Sequence, residues 1–161
     1  MIKILIAEDD PLTGRIYADL LKNAGFEVEL FANGIDFMAR VHDARPNAIL
    51  LDMMLPGVSG IEIIKRVRGM WFGKDLPIVG LTNAFVPAMI EAVQKAGVTA
   101  LYDKASLTPG QLLDTFRGVL GAFSAPPAVA ARSALEERSP EYDVSEGGWA
   151  TLRTFKGPKG K

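Results

Sequence analysis

Apolar and polar positions alternate in blocks along the first three quarters of the chain. Ile2-Lys3-Ile4-Leu5-Ile6-Ala7 is a short, nearly continuous apolar run, the pattern of a strand buried on both faces. The period then changes. Asp10-Pro11 reads as a helix start, with Asp as the N-cap and Pro at the first helical position. Leu12, Ile16 and Leu20 recur on one helical face, with Leu21 and Ala24 beside it, and Gly25 suits the C-terminal stop. Phe26 to Phe31 alternates, as an edge strand does, and Asn33-Gly34 marks a turn. Ile35 to Ala44 predicts a helix that turns Phe37, Met38 and Val41 inward and stops before Pro46. Asn47 to Leu51 is a third strand, and the Pro56-Gly57-Val58-Ser59-Gly60 loop leads into a helix from Ile61 to about Arg68. Pro77 to Leu81 is a fourth strand, Val86 to Ala96 a helix followed by Gly97, and Val98 to Tyr102 a fifth strand. Thr108-Pro109-Gly110-Gln111 has the capping-box spacing and opens a last helix to about Phe123.

Strands and helices in strict alternation predict an α/β fold, with a five-stranded parallel sheet covered on both faces. Right-handed crossovers make that sheet doubly wound. The composition shifts after Phe123, which divides the chain into a domain at 1–123 and a linker and C-terminal tail at 124–161. Ser124-Ala125-Pro126-Pro127 reads as linker, and Ala128 to Arg138 suits one short helix. Acidic residues cluster from Glu136 to Glu146 and basic ones from Arg153 to Lys161, with Tyr142, Trp149 and Phe155 among them. A tail of that size is marginal for a core of its own.

Composition narrows the functional classes. Apolar residues at 48% and charged residues at 23% support a packed core. A net charge of −1, from 18 basic and 19 acidic residues, gives no global basic field, so nucleic acid is not an expected partner. The absence of cysteine excludes disulfides, thiolate nucleophiles and Cys-based metal sites. A single histidine, His42, excludes a multi-His centre and suits a surface or helix-end role. No run approaches the ~20 apolar residues of a membrane span, and the N-terminal apolar run is too short for a signal-peptide core. A cytoplasmic protein without membrane insertion is expected.

The candidate chemistry lies just after the predicted strands. Glu8, Asp9 and Asp10 follow the first, Asp52 the third, Thr82 the fourth, and Asp103 and Lys104 the fifth. In an open α/β sheet these positions share the carboxyl-end rim, where ligands bind near the reversal of strand order. Read singly, each has a plainer role: a solvated loop, a strand-end acid, a helix cap, a surface lysine. Read together, Asp9, Asp52 and a backbone carbonyl form an all-oxygen set for a hard cation, which magnesium suits. Lys104 would neutralise a phosphoryl oxygen, Thr82 would donate to another, and Asp52 is the natural nucleophile for an aspartyl-phosphate.

These residues stand in motifs that resemble the receiver domain of two-component response regulators. The motifs are Ile4-Leu5-Ile6-Ala7-Glu8-Asp9-Asp10-Pro11, Leu50-Leu51-Asp52-Met53-Met54-Leu55-Pro56-Gly57-Val58-Ser59-Gly60, Gly80-Leu81-Thr82-Asn83-Ala84 and Asp103-Lys104. The resemblance covers about residues 1–123, and the ordered set carries it more than any one motif. It implies a flavodoxin-like fold with strand order 2-1-3-4-5. It implies Asp52 as phosphoacceptor, Thr82 as switch hydroxyl and Lys104 as phosphate-pairing lysine. Mg2+ would be held by Asp9, Asp52 and the Met54 backbone carbonyl, with Glu8 acting through a water. The implied phosphodonor is a sensor histidine kinase or a histidine phosphotransfer protein. The implied output is a downstream protein, or a second copy in a homodimer, bound through the fourth helix, fifth strand and fifth helix.

Two departures stand out. Ala105 follows Lys104 where the family usually has proline, often after a cis bond. Leu101 occupies the position of the usual switch aromatic, three residues before the lysine, and Tyr102 falls one place later on the opposite strand face. Either Tyr102 substitutes through a shifted backbone, or the output surface is read in another way. Two other functions compete. A haloacid-dehalogenase-like aspartyl-phosphate hydrolase would have a second Asp two residues after the nucleophile, where this chain has Met54. A pseudo-receiver acting only as a scaffold would have no reason to keep Asp9, Asp52, Thr82 and Lys104.

Overall fold

The computed structural model describes residues 1–121 and the pair Trp149–Ala150. Its strands are β1 (Lys3–Ala7), β2 (Glu27–Phe31), β3 (Ala48–Asp52), β4 (Ile78–Thr82) and β5 (Ala100–Asp103). Its helices are α1 (Pro11–Asn23), α2 (Gly34–Ala44), α3 (Gly60–Arg68), α4 (Pro87–Ala96) and α5 (Pro109–Gly121). The strands pair in parallel, as the alternation predicts, in the order β2-β1-β3-β4-β5 that the family resemblance implies. A two-residue strand, β6 (Trp149–Ala150), adds antiparallel to the outer side of β5. It lies in the tail, where no hydrophobic period marks it. The predicted helix at Ala128–Arg138 lies outside the described residues.

Local chemistry sets the helix starts. Asp10 accepts from the Thr13 amide at 2.9 Å, Asn33 from the Asp36 amide at 2.8 Å, and Ser59 from the Glu62 amide at 3.3 Å. Thr108 and Gln111 exchange side-chain-to-backbone bonds at 3.2 and 2.9 Å, closing the predicted capping box. Gly25 follows α1 with φ of 95°, the left-handed conformation that favours glycine after a helix.

Period-two alternation splits the strands' side chains between two cores. Leu5, Ile49, Leu51, Ile78 and Leu101 meet α2, α3 and α4 through residues such as Phe37, Ile63 and Val93. Ile4, Ile6, Leu50, Val79, Leu81 and Tyr102 meet α1 and α5 through Ala18, Leu21, Leu112 and Phe116. Central β3 and β4 are buried along their whole length.

Helix α1 packs on a different stripe from the one its large apolar residues suggest. Leu12 and Ile16 are exposed, whereas Gly14, Ala18 and Leu21 are buried. A Cβ at Gly14 would come 3.0 Å from the Leu30 side chain, so close approach of helix to sheet selects small residues on the inner face. His42 is exposed in the last turn of α2, as expected. Among the described residues no helix is long and apolar enough to cross a membrane.

Arg68 ties the far end of the domain together. Its guanidinium donates to the carbonyls of Gly97 (2.9 and 2.7 Å), Gly73 (2.6 Å) and Leu76 (2.6 Å). It thereby joins the end of α3 to the loop before β4 and the end of α4. Burial lowers its pKa, with the charge of Asp75 opposing. Arg68→Met should lower the unfolding free energy by roughly 2–4 kcal/mol in a urea titration, because three part-buried carbonyls lose their donor. A loss under about 0.5 kcal/mol, the usual size of an exposed substitution, would show that the clamp is superficial.

Candidate functional site

The ends of β1, β3, β4 and β5 converge on one rim, beside the point where the chain passes from β1 outward to β2 and later returns to β3. Asp52 and Thr82 are the last residues of their strands, and Glu8 and Lys104 directly follow theirs. Gly60 lets α3 start hard against β3: a Cβ there would meet Met53 Cα at 2.6 Å and the Asp52 carbonyl at 2.9 Å. The start of α3 is thus packed directly against the strand end that carries Asp52.

Lys104 Nζ sits between two buried acids. It lies 2.9 Å from Asp52 Oδ2 and 2.8 and 2.7 Å from Glu8 Oε1 and Oε2. Glu8 and Asp52 are only 2% and 3% exposed, and Thr82 is fully buried. The Met54 amide donates to Asp52 Oδ1 at 2.9 Å, and the Asp10 amide donates to Glu8 Oε1 at 3.1 Å. Glu8 Oε2 touches the ammonium but has no hydrogen bond of its own, so it is a buried oxygen held by charge alone. Burial pushes the Glu8 carboxyl above its ordinary range, against the pull of Lys104 and the Asp10 amide, while the Asp52 charge adds to the rise. Burial also opposes the charge on Lys104, but its bonds to Glu8 and Asp52 prevail and hold its pKa above the ordinary value.

Carboxylate oxygens of Glu8, Asp9 and Asp52 lie within 4.8 Å of one another, with Asp9 exposed at the mouth. This oxygen-only donor set, with one buried oxygen lacking a hydrogen bond, fits a hard divalent cation. Met54 lies two residues beyond Asp52 with an exposed side chain, and its amide is spent on Asp52.

Thr82 belongs to the same rim but is engaged elsewhere. Its hydroxyl accepts from the Ala84 amide at 3.1 Å and lies 3.8 Å from Met89 Sδ in α4. The turn after Lys104 closes without proline, because Asp103 accepts from the Ala105, Ser106 and Leu107 amides at 2.9, 3.3 and 3.1 Å. The backbone of β5 is not shifted: Leu81 faces Tyr102 and Thr82 faces Asp103 in regular register. Leu101 packs toward α3 and α4, while Tyr102 packs toward α5 and shares a 2.6 Å hydrogen bond with Thr115. Of the two alternatives for Tyr102, substitution through a shifted strand is therefore not the arrangement seen. The role of Thr115 is not legible in the sequence, where its only signal is a hydroxyl among the apolar residues of α5. A cleft of about 500 Å3 opens beside Lys104, lined by Asp10, Thr13, Ile16, Tyr17 and Leu107 among others.

Fold and rim together define a receiver-type α/β domain. The family model for the response regulator receiver domain matches residues 4–117, and the chain belongs to that family. The polar-differentiation response regulator DivK of Brucella anthropi is 27% identical over 118 residues, 73% of this chain and 95% of that protein. The chemotaxis response regulator CheY4 of Vibrio cholerae superposes with a TM-score of 0.69 at 31% identity, over 74% of this chain and 98% of CheY4. The receiver domain of a Pseudomonas aeruginosa sensor histidine kinase, solved with a magnesium ion coordinated in its active site cleft, gives a TM-score of 0.69 at 27% identity over 74% and 98% of the two chains. This membership does not favour the hydrolase alternative.

Removing the central cation tests the electrostatics directly. Lys104→Met leaves Glu8 buried without its counter-charge, so the carboxyl takes up a proton more readily in the folded state than in the unfolded one. Such a group loses stability as pH rises above its unfolded pKa. With divalent cations chelated, the variant should be about 3 kcal/mol less stable than the wild type at pH 7.5, and the gap should narrow toward pH 5. A gap independent of pH would show that Lys104 acts through packing alone.

Proposed function

We propose that the chain is a phosphorylation-controlled signalling module in which Asp52 accepts a phosphoryl group from a phosphohistidine. The donor is a sensor histidine kinase or a histidine phosphotransfer protein. The observation that carries this reading is the single ammonium of Lys104 held between buried Asp52 and Glu8. An Asp52 carboxylate oxygen attacks phosphorus, the P–N bond of the phosphoimidazole breaks, and the imidazole nitrogen keeps the electron pair and takes up a proton from solvent. Lys104, already against Asp52, is within easy reach of a phosphoryl oxygen and neutralises it. Asp9, Asp52, the Met54 carbonyl and Glu8 through a water would hold Mg2+, which would supply positive charge to offset that of the incoming phosphoryl group. The magnesium-bearing relative supports that assignment.

Thr82 is the switch hydroxyl. Bonding to a phosphoryl oxygen would take it from Ala84 and draw residues 83–86 toward the rim, shifting the start of α4. The α4-β5-α5 face then selects a downstream protein or a second copy of the chain. Transfer to Asp52 happens once per phosphorylation event, so the domain is a phosphoacceptor rather than a turnover enzyme. Exposed Leu12 and Ile16, the latter lining the cleft beside Lys104, offer an apolar footing for the donor. The receiver unit is 1–123, the tail is its appendage, and the expected location is the cytoplasm.

Acetyl phosphate with Mg2+ should add one phosphoryl mass to the chain and none to Asp52→Asn; labelling that survives the substitution would refute the site. Thr82→Ala should still be labelled but should lose the change in amide exchange across 83–90 that accompanies labelling of the wild type. Magnesium at ten times its Kd should stabilise the wild type by about 1.4 kcal/mol in thermal unfolding. Asp52→Asn should lose most of that gain, and an equal gain would place the ion elsewhere.

A further inference from the structure

We propose that the tail segment carrying Trp149–Ala150 is an internal ligand of the receiver, which adds as a strand to β5 and occupies the edge that output partners would use. β5 is the last of the parallel strands, and β6 adds along its outer edge, the mode of strand addition to a sheet edge. Trp149 stands opposite Tyr102 and Ala150 opposite Leu101, in antiparallel register. The sequence that follows supports the choice of segment. Trp149-Ala150-Thr151-Leu152-Arg153-Thr154-Phe155 is the part of the tail densest in residues favoured in strands.

The place of attachment matters for signalling. Leu101 belongs to the core under α3 and α4, and Tyr102 to the core under α1 and α5, where it bonds Thr115. Two residues beyond Tyr102, Lys104 meets Asp52 and Glu8, and Asp103 pairs in register with Thr82. The tail strand therefore lies on the short stretch of backbone that joins both cores to the phosphoacceptor. Among the described residues the pairing is Tyr102 with Trp149 and Leu101 with Ala150, a two-residue strand at the edge of the sheet. This gives a reading of the output face that needs no aromatic at position 101: β6 covers the edge of β5 at rest and leaves it when Lys104 and Thr82 rearrange. The displacement step rests on the phosphoacceptor reading of Asp52; the strand addition does not.

Hydrogen exchange of the full chain tests both. Successive amides of a strand point to opposite sides, so one of Trp149 and Ala150 faces β5; Trp149→Pro/Ala150→Pro removes it whichever it is, and the amides of Ala100–Asp103 should exchange about tenfold faster in the variant, with those of β1 and β3 unchanged. A synthetic peptide of residues 146–155 should restore protection to the variant, and a scrambled peptide should not. Equal exchange in the two proteins would overturn the strand addition. Protection that grows with protein concentration would assign the strand to a second copy and overturn the internal ligand. In parallel, acetyl phosphate and Mg2+ are added to the wild type and uptake is read by intact mass. Uptake with faster β5 exchange supports displacement, and uptake with unchanged exchange overturns it. No uptake would overturn the phosphoacceptor reading, while the proline comparison would still decide the strand.

Discussion

The structure turns on one charge. Two carboxylates buried at adjacent strand ends repel each other, and the sheet tolerates them because Lys104 places its ammonium between them. The arrangement is balanced rather than rigid. Glu8 keeps one oxygen without a hydrogen bond, and its carboxyl is biased toward protonation by its own burial. A site with more carboxylates than cations gains from a second, hard cation. In the proposed function, chemistry and switching draw on the same electrostatic shortfall.

The remainder of the fold delivers those groups to one place. Parallel strands put successive carboxyl ends on one rim, and the two cores fix the strands from either side. Thr82 connects the rim to α4 through Ala84 and Met89, and Tyr102 connects β5 to α5 through Thr115. At the opposite end Arg68 holds α3, α4 and the approach to β4 together.

Much of this was legible in the sequence because the residues that matter follow apolar runs directly. A strand buried on both faces announces itself, and the acid, hydroxyl or lysine at its end falls at a predictable place. The caps Asp10 and Thr108 were equally readable, since a capping side chain acts within three residues of itself. The inner face of α1 was not. Large apolar residues mark a core stripe only where there is room for them, and the closeness of Leu30 reserves that face for Gly14 and Ala18. Pairing at a distance was also hidden. Nothing local reveals that Thr115 partners Tyr102, that Arg68 serves three carbonyls, or that Trp149 lies beside β5.

The most direct test is a crystal structure of the full chain grown with Mg2+ and beryllofluoride, a stable mimic of a phosphoryl group. The account predicts beryllium bonded to an Asp52 oxygen, Lys104 Nζ moved from Glu8 onto a fluorine, and Thr82 Oγ1 released from Ala84 to another fluorine. Beryllofluoride absent from Asp52, or bound there with Lys104 still on Glu8 and Thr82 still on Ala84, would contradict it.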